Sequence, residues 1–324
     1  TIAVTLYVMV SGIHGSAWTA MLKDIMILFV VVFLGLYLPF HYYGGIQPMF
    51  EAVEAAMPGF LALPESGMSP SWFISTVLLT VLGFYMWPHT FGSSYSAENE
   101  RVFRKNAIIM PLYSLVLLFV FFVGFAAILQ VPGLKGADGD LSLLRLSIQT
   151  FDPWFVGVIG AAGLLTAIVP GSMILMAAST LLAKNVYKVF APQASDAQIS
   201  KLAKYLVPVV ALISLYFTFE GGSAIVALLL MGYSLVTQLF PALLFSLMKR
   251  NVVTKHGAAA GIIAGVATVA AITLSETTVG SLFPFLPQAI QDLNVGIVAL
   301  IVNVVVMVAV SLVMRSRSAI GDKN

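Results

Sequence analysis

The sequence predicts an all-α polytopic membrane protein, on three observations: the scarcity of charge, the length of the uncharged runs, and the placement of the basic residues. Of the 324 residues, 60% are hydrophobic and 9% are charged, where a soluble domain carries roughly 25% charged residues. So few charges do not solvate a globular surface, and the solvent is lipid. Helices satisfy their own backbone there, and a run of about 18 apolar residues is long enough to cross it.

Uncharged runs cover 25–50, 67–97, 106–134, 153–183, 221–248, 257–275 and 293–314. A shorter run, 205–219, is lengthened by Lys201 and Lys204, whose ammonium groups reach back to the interface. Eight full spans are therefore expected, in one transmembrane domain over 1–324. The apolar stretch Thr1–Gly12 would reach only about 18 Å as a helix. With no initiator Met and no leader or cleavage site, it reads as the tail of a cut helix, so the chain is expected to be N-terminally incomplete.

The 16 basic residues test that count. Lys23 is followed by a bare loop over 41–72, then by Arg101, Arg104 and Lys105, then by a loop with Lys135 and Arg145. Lys184, Lys188, Lys201 and Lys204 come next, before a turn with only Glu220. Lys249, Arg250 and Lys255 precede a loop with only Glu276 and Asp292, and Arg315, Arg317 and Lys323 close the chain. All but Lys135 and Arg145 thus fall on alternate connections, a pattern that one missed span would scramble. Basic connections stay inside, which places them and the C-terminus in the cytoplasm, for a multi-pass protein of the cell (inner) membrane. Once the charges are placed, the net charge of +2 leaves no basic face for nucleic acid. The lipid bilayer is the expected partner, and no protein partner is indicated. Without cysteine there is no disulfide framework or thiolate metal site.

Within 41–71, Met49, Phe50, Val53, Ala56 and Met57 recur at near-helical spacing with Glu51 and Glu54 off the stripe, which predicts an interfacial helix. Gly157, Gly160 and Gly163, and likewise Gly257, Gly261 and Gly265, predict small-residue faces where helix backbones approach closely.

No Asp, Glu, Lys or Arg lies deep in a span, which removes voltage sensors and carboxylate proton relays. The remaining polar residues are few. Gly83-Phe-Tyr-Met-Trp-Pro-His-Thr-Phe-Gly92 sits midway along a run too long for one straight span, and Pro88 lacks the donor a helix needs. A break is expected there, lining a cavity with Tyr85, Trp87, Pro88, His89 and Thr90 as candidate substrate-binding residues. A simple kink with a buried histidine is the other reading of these residues. Pro170-Gly171 predicts a second interruption, freeing carbonyls near Thr166 and Ala167 that suit a hard cation, although kinked packing also explains it. Thr237 and Gln238, before Pro241, are as well placed for packing as for substrate contact, and Gln238 joins the substrate candidates. His14, His41, His89 and His256 fall in or beside four different segments, with no His-Glu-x-x-His motif or intramembrane Asp pair. No catalytic residue is assigned, and the chain does not read as an enzyme.

Three stretches resemble the sodium:solute symporter family, which includes proline, pantothenate, sugar and monocarboxylate permeases. Tyr7-Val-Met-Val-Ser-Gly-Ile-His-Gly with Ala17-Trp-Thr19 resembles the family's Tyr…Gly-Gly-Leu…Trp-Thr-Asp segment, with Ala20 and Lys23 in place of the usual Asp and Gln. Trp87-Pro-His89 with Asn99-Glu-Arg101 and Arg104-Lys105 resembles its Gly-Gln-Pro-His helix and basic exit. Ser-Thr-Leu-Leu-Ala-Lys-Asn-Val-Tyr-Lys188 resembles its Ser-Thr-Leu-Leu-Thr-Lys-Asp-Ile-Tyr-Lys ending. The resemblance covers essentially the whole chain. It implies a LeuT-type inverted-repeat core, of which core helices five to ten and two peripheral helices lie here.

The resemblance also implies a coupling Na+ held by the Ala167 carbonyl and a neighbouring hydroxyl. Pro170 and Gly171 stand where the family has adjacent hydroxyls, and Ser172, next to them, is the candidate. The Val-Pro-Gly-Ser-Met-Ile-Leu-Met-Ala-Ala stretch and the Trp-Pro-His break are most similar to the monocarboxylate (lactate, pyruvate, acetate) branch. The expectation is a secondary active transporter importing a small organic anion by alternating access, with Na+ or H+ as coupling ion and no other cofactor. The alternatives are an uncoupled facilitator or channel, and a symporter of an amino acid, pantothenate or sugar.

Overall fold

The structure, a computed structural model, describes residues 2–95, 97–221, 224–249 and 252–321. The side chains of His14, Trp18, Glu220, Arg250, Arg317 and Lys323, named above, lie outside the described residues. Every regular element among those described is helical, in agreement with the all-α membrane class that the composition predicts.

The chain begins with α1 (Ile2–Tyr43), the short α2 (Ile46–Ala56) and α3 (Pro70–Gly83), followed by a 3-10 turn and α4 (Pro88–Ser94). Next come α5 (Glu100–Ser114), α6 (Leu117–Gln130), α7 (Ser142–Thr150), α8 (Pro153–Leu181), α9 (Lys188–Phe190) and α10 (Asp196–Gly221). The remainder is α11 (Ile225–Val236), α12 (Phe240–Ser246), α13 (Lys255–Leu274), α14 (Val279–Leu282), α15 (Gln288–Gln291) and α16 (Val295–Gly321). Among the described residues, seven stretches are long and apolar enough to cross a membrane: Thr19–Tyr43, Glu100–Gln130, Pro153–Phe190, Asp196–Phe219, Ile225–Ser246, Lys255–Leu274 and Val295–Arg315. The bent pair Pro70–Met86 and Pro88–Ser94 makes an eighth if it is counted as one span. Tyr7 Oη lies 2.6 Å from Thr19 Oγ1. A straight helix would hold those residues about 18 Å apart, so α1 bends between them.

The helices form two compact units, 1–61 with 92–224 and 62–91 with 225–324. In the first, Val30, Leu34 and Leu38 recur every fourth residue on one stripe of α1 and are buried with Val123, Ala126 and Ala127 of α6 and Ile159 and Ala162 of α8. At Gly35 a Cβ would lie 2.5 Å from the Phe119 Cβ, so the absent side chain is what brings these helices together. The stripe predicted for α2 is realised with a different purpose. Met49 is fully buried in the same core, Val53 is fully buried as well, and Phe50 packs its ring on Phe122 and Phe125.

The two glycine faces diverge. In the second unit, a Cβ at Gly261 would meet Asn303 Oδ1 and Met307 Cβ of α16 at 2.6 Å, and one at Gly257 or Gly265 would come closer still to Ser311 or Gln238. Around Gly157, Gly160 and Gly163 there is open space among the described residues, so that face seats no neighbour there. Of the two readings of Pro170-Gly171, the interruption does not appear: α8 runs through it to Leu181. The proline costs one bond, to the Thr166 carbonyl, and a single missing bond kinks a long helix without ending it. The irregularity lies further on, in a π-helical turn at Leu182–Tyr187.

The contrast between the glycine faces is testable by thermal melting in detergent. Gly261→Leu should lower the Tm of the purified protein by several degrees, while Gly160→Leu, into open space, should change it little.

Candidate functional site

The span that begins at Pro70 does not continue as one helix. Phe84–Met86 tighten into a 3-10 turn, Trp87 is extended (φ −63°, ψ 128°), and α4 starts at Pro88 with a 54° change of direction. Trp87 takes that conformation because the Pro88 ring clashes with a helical predecessor. A second break lies against α3. Between α11 and α12, Thr237–Leu239 form a 3-10 turn ahead of Pro241, and the Thr237 hydroxyl, fully buried, donates to the Leu79 carbonyl at 3.2 Å.

The contact is close because glycine stands on both sides. A Cβ at Gly83 would collide with Thr237 Oγ1, and one at Gly232 would lie 2.5 Å from Trp87 Cη2. Trp87 fits over Gly232 with its ring 5.5 Å from the Tyr233 ring, edge to face, and 5.8 Å from the His89 imidazole. Such an edge contact is worth about 0.5–1.5 kcal/mol beyond the area it buries. His89 and Thr90 are half-buried, Tyr85 is exposed with its ring against Phe84, and Pro88 is exposed. Of the five candidates at the break, the described contacts bring Trp87 and His89 together and join to them Tyr233, which sequence reasoning missed.

Gln238 has a different setting. Its amide is fully buried, donating to the Ser234 carbonyl (2.9 Å) and the Gly296 carbonyl (3.1 Å), and Asn303 Nδ2 donates to its carbonyl oxygen (2.7 Å) and to Oε1 (3.2 Å). Every polar atom of that side chain is engaged within the protein. Its position is that of a packing residue, with no polar group turned toward a solute.

Ala167 and Ser172 both lie on α8, in the first unit. Ala167 is exposed, whereas the Ser172 hydroxyl is buried and donates to the Val169 carbonyl at 2.6 Å. The two residues are five apart, which separates them by about 140° around an intact helix. A helical carbonyl lies over the side chains three and four positions on, which here are Pro170 and Gly171. Ser172 is therefore one position too far to share an ion with the Ala167 carbonyl while α8 keeps this form.

A cavity of about 460 Å³ lies elsewhere in the second unit, lined by Ser66, Trp72, Thr278, Gln288, Asp292 and Asn294 among others. None of the candidate residues reaches it. It is the space between the loop before α3 and the loops before α16, which Asp292 and Asn294 tie together. Asp292 Oδ1 accepts from the Gly67 N–H (3.0 Å) and Gln288 Nε2 (2.8 Å), while the Asn294 N–H donates to Ser75 Oγ and its Nδ2 to Thr76 Oγ1, each at 2.9 Å. The neighbouring Ser69 hydroxyl holds the Asp292 carboxyl below its ordinary value against the opposing pull of desolvation, with smaller help from Gly67 and Gln288.

A depressed carboxyl stabilises the tied loop above the ordinary carboxylate pKa, and that contribution is lost as pH falls through the lowered value. Gly67 amide exchange, corrected for its intrinsic rate, should accordingly stay protected at pH 5 and lose protection below about pH 4. Asp292→Asn should remove most of the pH dependence.

A family model for the sodium:solute symporter family matches residues 1–265. The uncharacterized symporter YhjB of Bacillus subtilis (strain 168) is 74% identical over 323 residues, covering 99% of this chain and 66% of the relative. A monocarboxylate transport permease protein of Rhizobium johnstonii is 29% identical over 76% of this chain and 50% of its own length. A sodium/proline symporter of Haemophilus influenzae is 22% identical over 92% of this chain and 62% of its own length. The chain thus spans about two thirds or less of each of these relatives. No solved structure gives a significant match.

Proposed function

This chain belongs to the sodium:solute symporter family, and from that premise we propose that it forms part of a secondary active transporter importing a short-chain monocarboxylate with a cation by alternating access. The observation that carries the proposal is the break at Trp87-Pro88 in a membrane span. An interrupted span is costly in lipid unless it lines a cavity or is buried against protein, and transporters use such breaks to present backbone groups and side chains to a solute.

The solute class follows from what surrounds the break. His89, Trp87, Tyr85 and Thr90 offer an imidazole, an indole, a phenol and a hydroxyl, and no acidic side chain lies nearby in sequence. That set suits a small carboxylate with an apolar body. The relative named as a monocarboxylate permease supports the same class, and the proline symporters among the relatives favour a zwitterionic amino acid as the second reading.

The family name points to sodium as the coupling ion, with the Ala167 carbonyl and the Ser172 hydroxyl as oxygen ligands brought together by a change in α8. If α8 keeps its present form, proton coupling through His89 replaces it, since an imidazole titrates in the physiological range. We place the protein in the cell membrane with the C-terminus cytoplasmic, following the alternation of basic residues.

Uptake of labelled lactate into proteoliposomes carrying the full-length protein tests this, with sodium and proton gradients imposed separately. Accumulation driven by sodium alone supports the α8 ligands. Accumulation driven by protons alone, lost in His89→Gln, supports the histidine. Equilibration without accumulation would mean a facilitator, and proline uptake without lactate uptake would move the solute to the amino-acid class.

A further inference from the structure

We infer that Asn303, on α16, is a positioning residue for transport: it fixes the α11–α12 break, and through that break the seat of Trp87 in the interrupted α3–α4 span. The inference rests on the reading of that span as solute-facing, and it concerns a residue that touches neither Trp87 nor His89 through any hydrogen bond or ring contact described above.

Asn303 lies fully buried in the seam between α13 and α16. Its Nδ2 donates to the Gln238 carbonyl oxygen at 2.7 Å and to Gln238 Oε1 at 3.2 Å, while its Oδ1 is buried against Gly261 with no hydrogen-bond partner among the described residues. That arrangement fixes the amide's direction. Turning it over would set Oδ1 against two acceptors. A buried oxygen without a donor is a cost that an apolar residue of similar volume in this seam would avoid. The amide therefore acts through its Nδ2, and the acceptor it serves is the middle residue of the α11–α12 break.

The consequences run through that turn. Gln238, held by Asn303, reaches back to the Ser234 carbonyl and across to Gly296 at the start of α16. Thr237, its neighbour, donates to the Leu79 carbonyl of α3, the first half of the broken span. Gly232 and Tyr233, on the last turns of α11, form the seat of the Trp87 indole. Withdrawing the Asn303 donor leaves the Gln238 carbonyl unpaired in a buried 3-10 turn, and the turn that repairs this shifts Thr237 and the Trp87 seat with it.

Ser311 provides a matched control. It is also buried in the α13–α16 seam, where its hydroxyl accepts from the Thr254 N–H at 3.1 Å, away from either break. The experiment uses the reconstituted full-length protein with Trp87 as its single tryptophan. Asn303→Ala removes donor and volume, Asn303→Met removes the donor and keeps the volume, and Ser311→Ala is the control.

Both Asn303 variants are expected to shift Trp87 emission and to raise the half-saturating lactate concentration about fivefold or more, with maximal rate per folded protein within about twofold. Ser311→Ala should change neither. A folded Asn303→Met protein with wild-type emission and half-saturation would overturn the inference. So would failure of Asn303→Met to fold while Ser311→Ala folds, since the role would then be structural alone. If the unmodified protein does not take up lactate, the proposed solute is wrong, and the Trp87 emission of the variants still decides the positioning role.

Discussion

The Thr237 hydroxyl on the Leu79 carbonyl is the contact on which the second unit depends. An unpartnered backbone group in lipid costs several kcal/mol, while a hydrogen bond between membrane helices contributes only about 0.6 kcal/mol on average. The Leu79 carbonyl lies within α3 and keeps its helical donor, so the group that separation would strand is the buried Thr237 hydroxyl, and that penalty is larger than the contribution of the bond itself. The Gln238 carbonyl, in the 3-10 turn of the α11–α12 break, finds its partner in Asn303, and the Thr237 side chain of the same turn adds a donor to the Leu79 carbonyl of α3.

Glycine makes that mutual satisfaction possible. Gly83, Gly232, Gly265 and Gly296 each stand where a methyl group would collide with Thr237, Trp87, Gln238 or Leu79. These positions are where small residues carry a structural role, whereas glycines on α8 face open space in the described unit. The first unit solves a simpler problem. Its core is a leucine and valine stripe on α1 against α6 and α8, closed by α2, and at the end of α1 two partly buried tyrosines reach the neighbouring helices, Tyr42 to Thr150 of α7 and Tyr43 to the Ala126 carbonyl of α6.

Much of this was legible in the sequence because charge is so scarce. The uncharged runs correspond one by one to the seven candidate spans and the bent pair, and Trp87-Pro88 between flanking glycines marked the break, since proline constrains both its own residue and the one before. Pro170 carried the same signal and gave no break, because a single lost bond does not end a long apolar helix. Glycine spacing was equally ambiguous: three at regular intervals state that a close approach is possible, and only the partner helix decides whether it happens. The π-helical turn at Leu182–Tyr187 had no signal in its composition. Tyr233 was hidden in an apolar run, but Asn303 need not have been, being the one polar side chain from Val295 to Met307. Gln238 could be read as ligand or as packing, and three hydrogen-bonding partners in the protein account for its side chain.

Thiol access tests most directly whether the broken span, and not the buried turn beside it, meets the solute. The chain contains no cysteine, so single cysteines at Tyr85, Thr90, Thr237 and Gln238, in an otherwise cysteine-free full-length protein, report access to a small thiol reagent. The account predicts rapid modification at 85 and 90, slowed by lactate or pyruvate together with the coupling ion, and slow modification at 237 and 238. Rapid, solute-protected modification at 237 or 238 with none at 85 and 90 would contradict it.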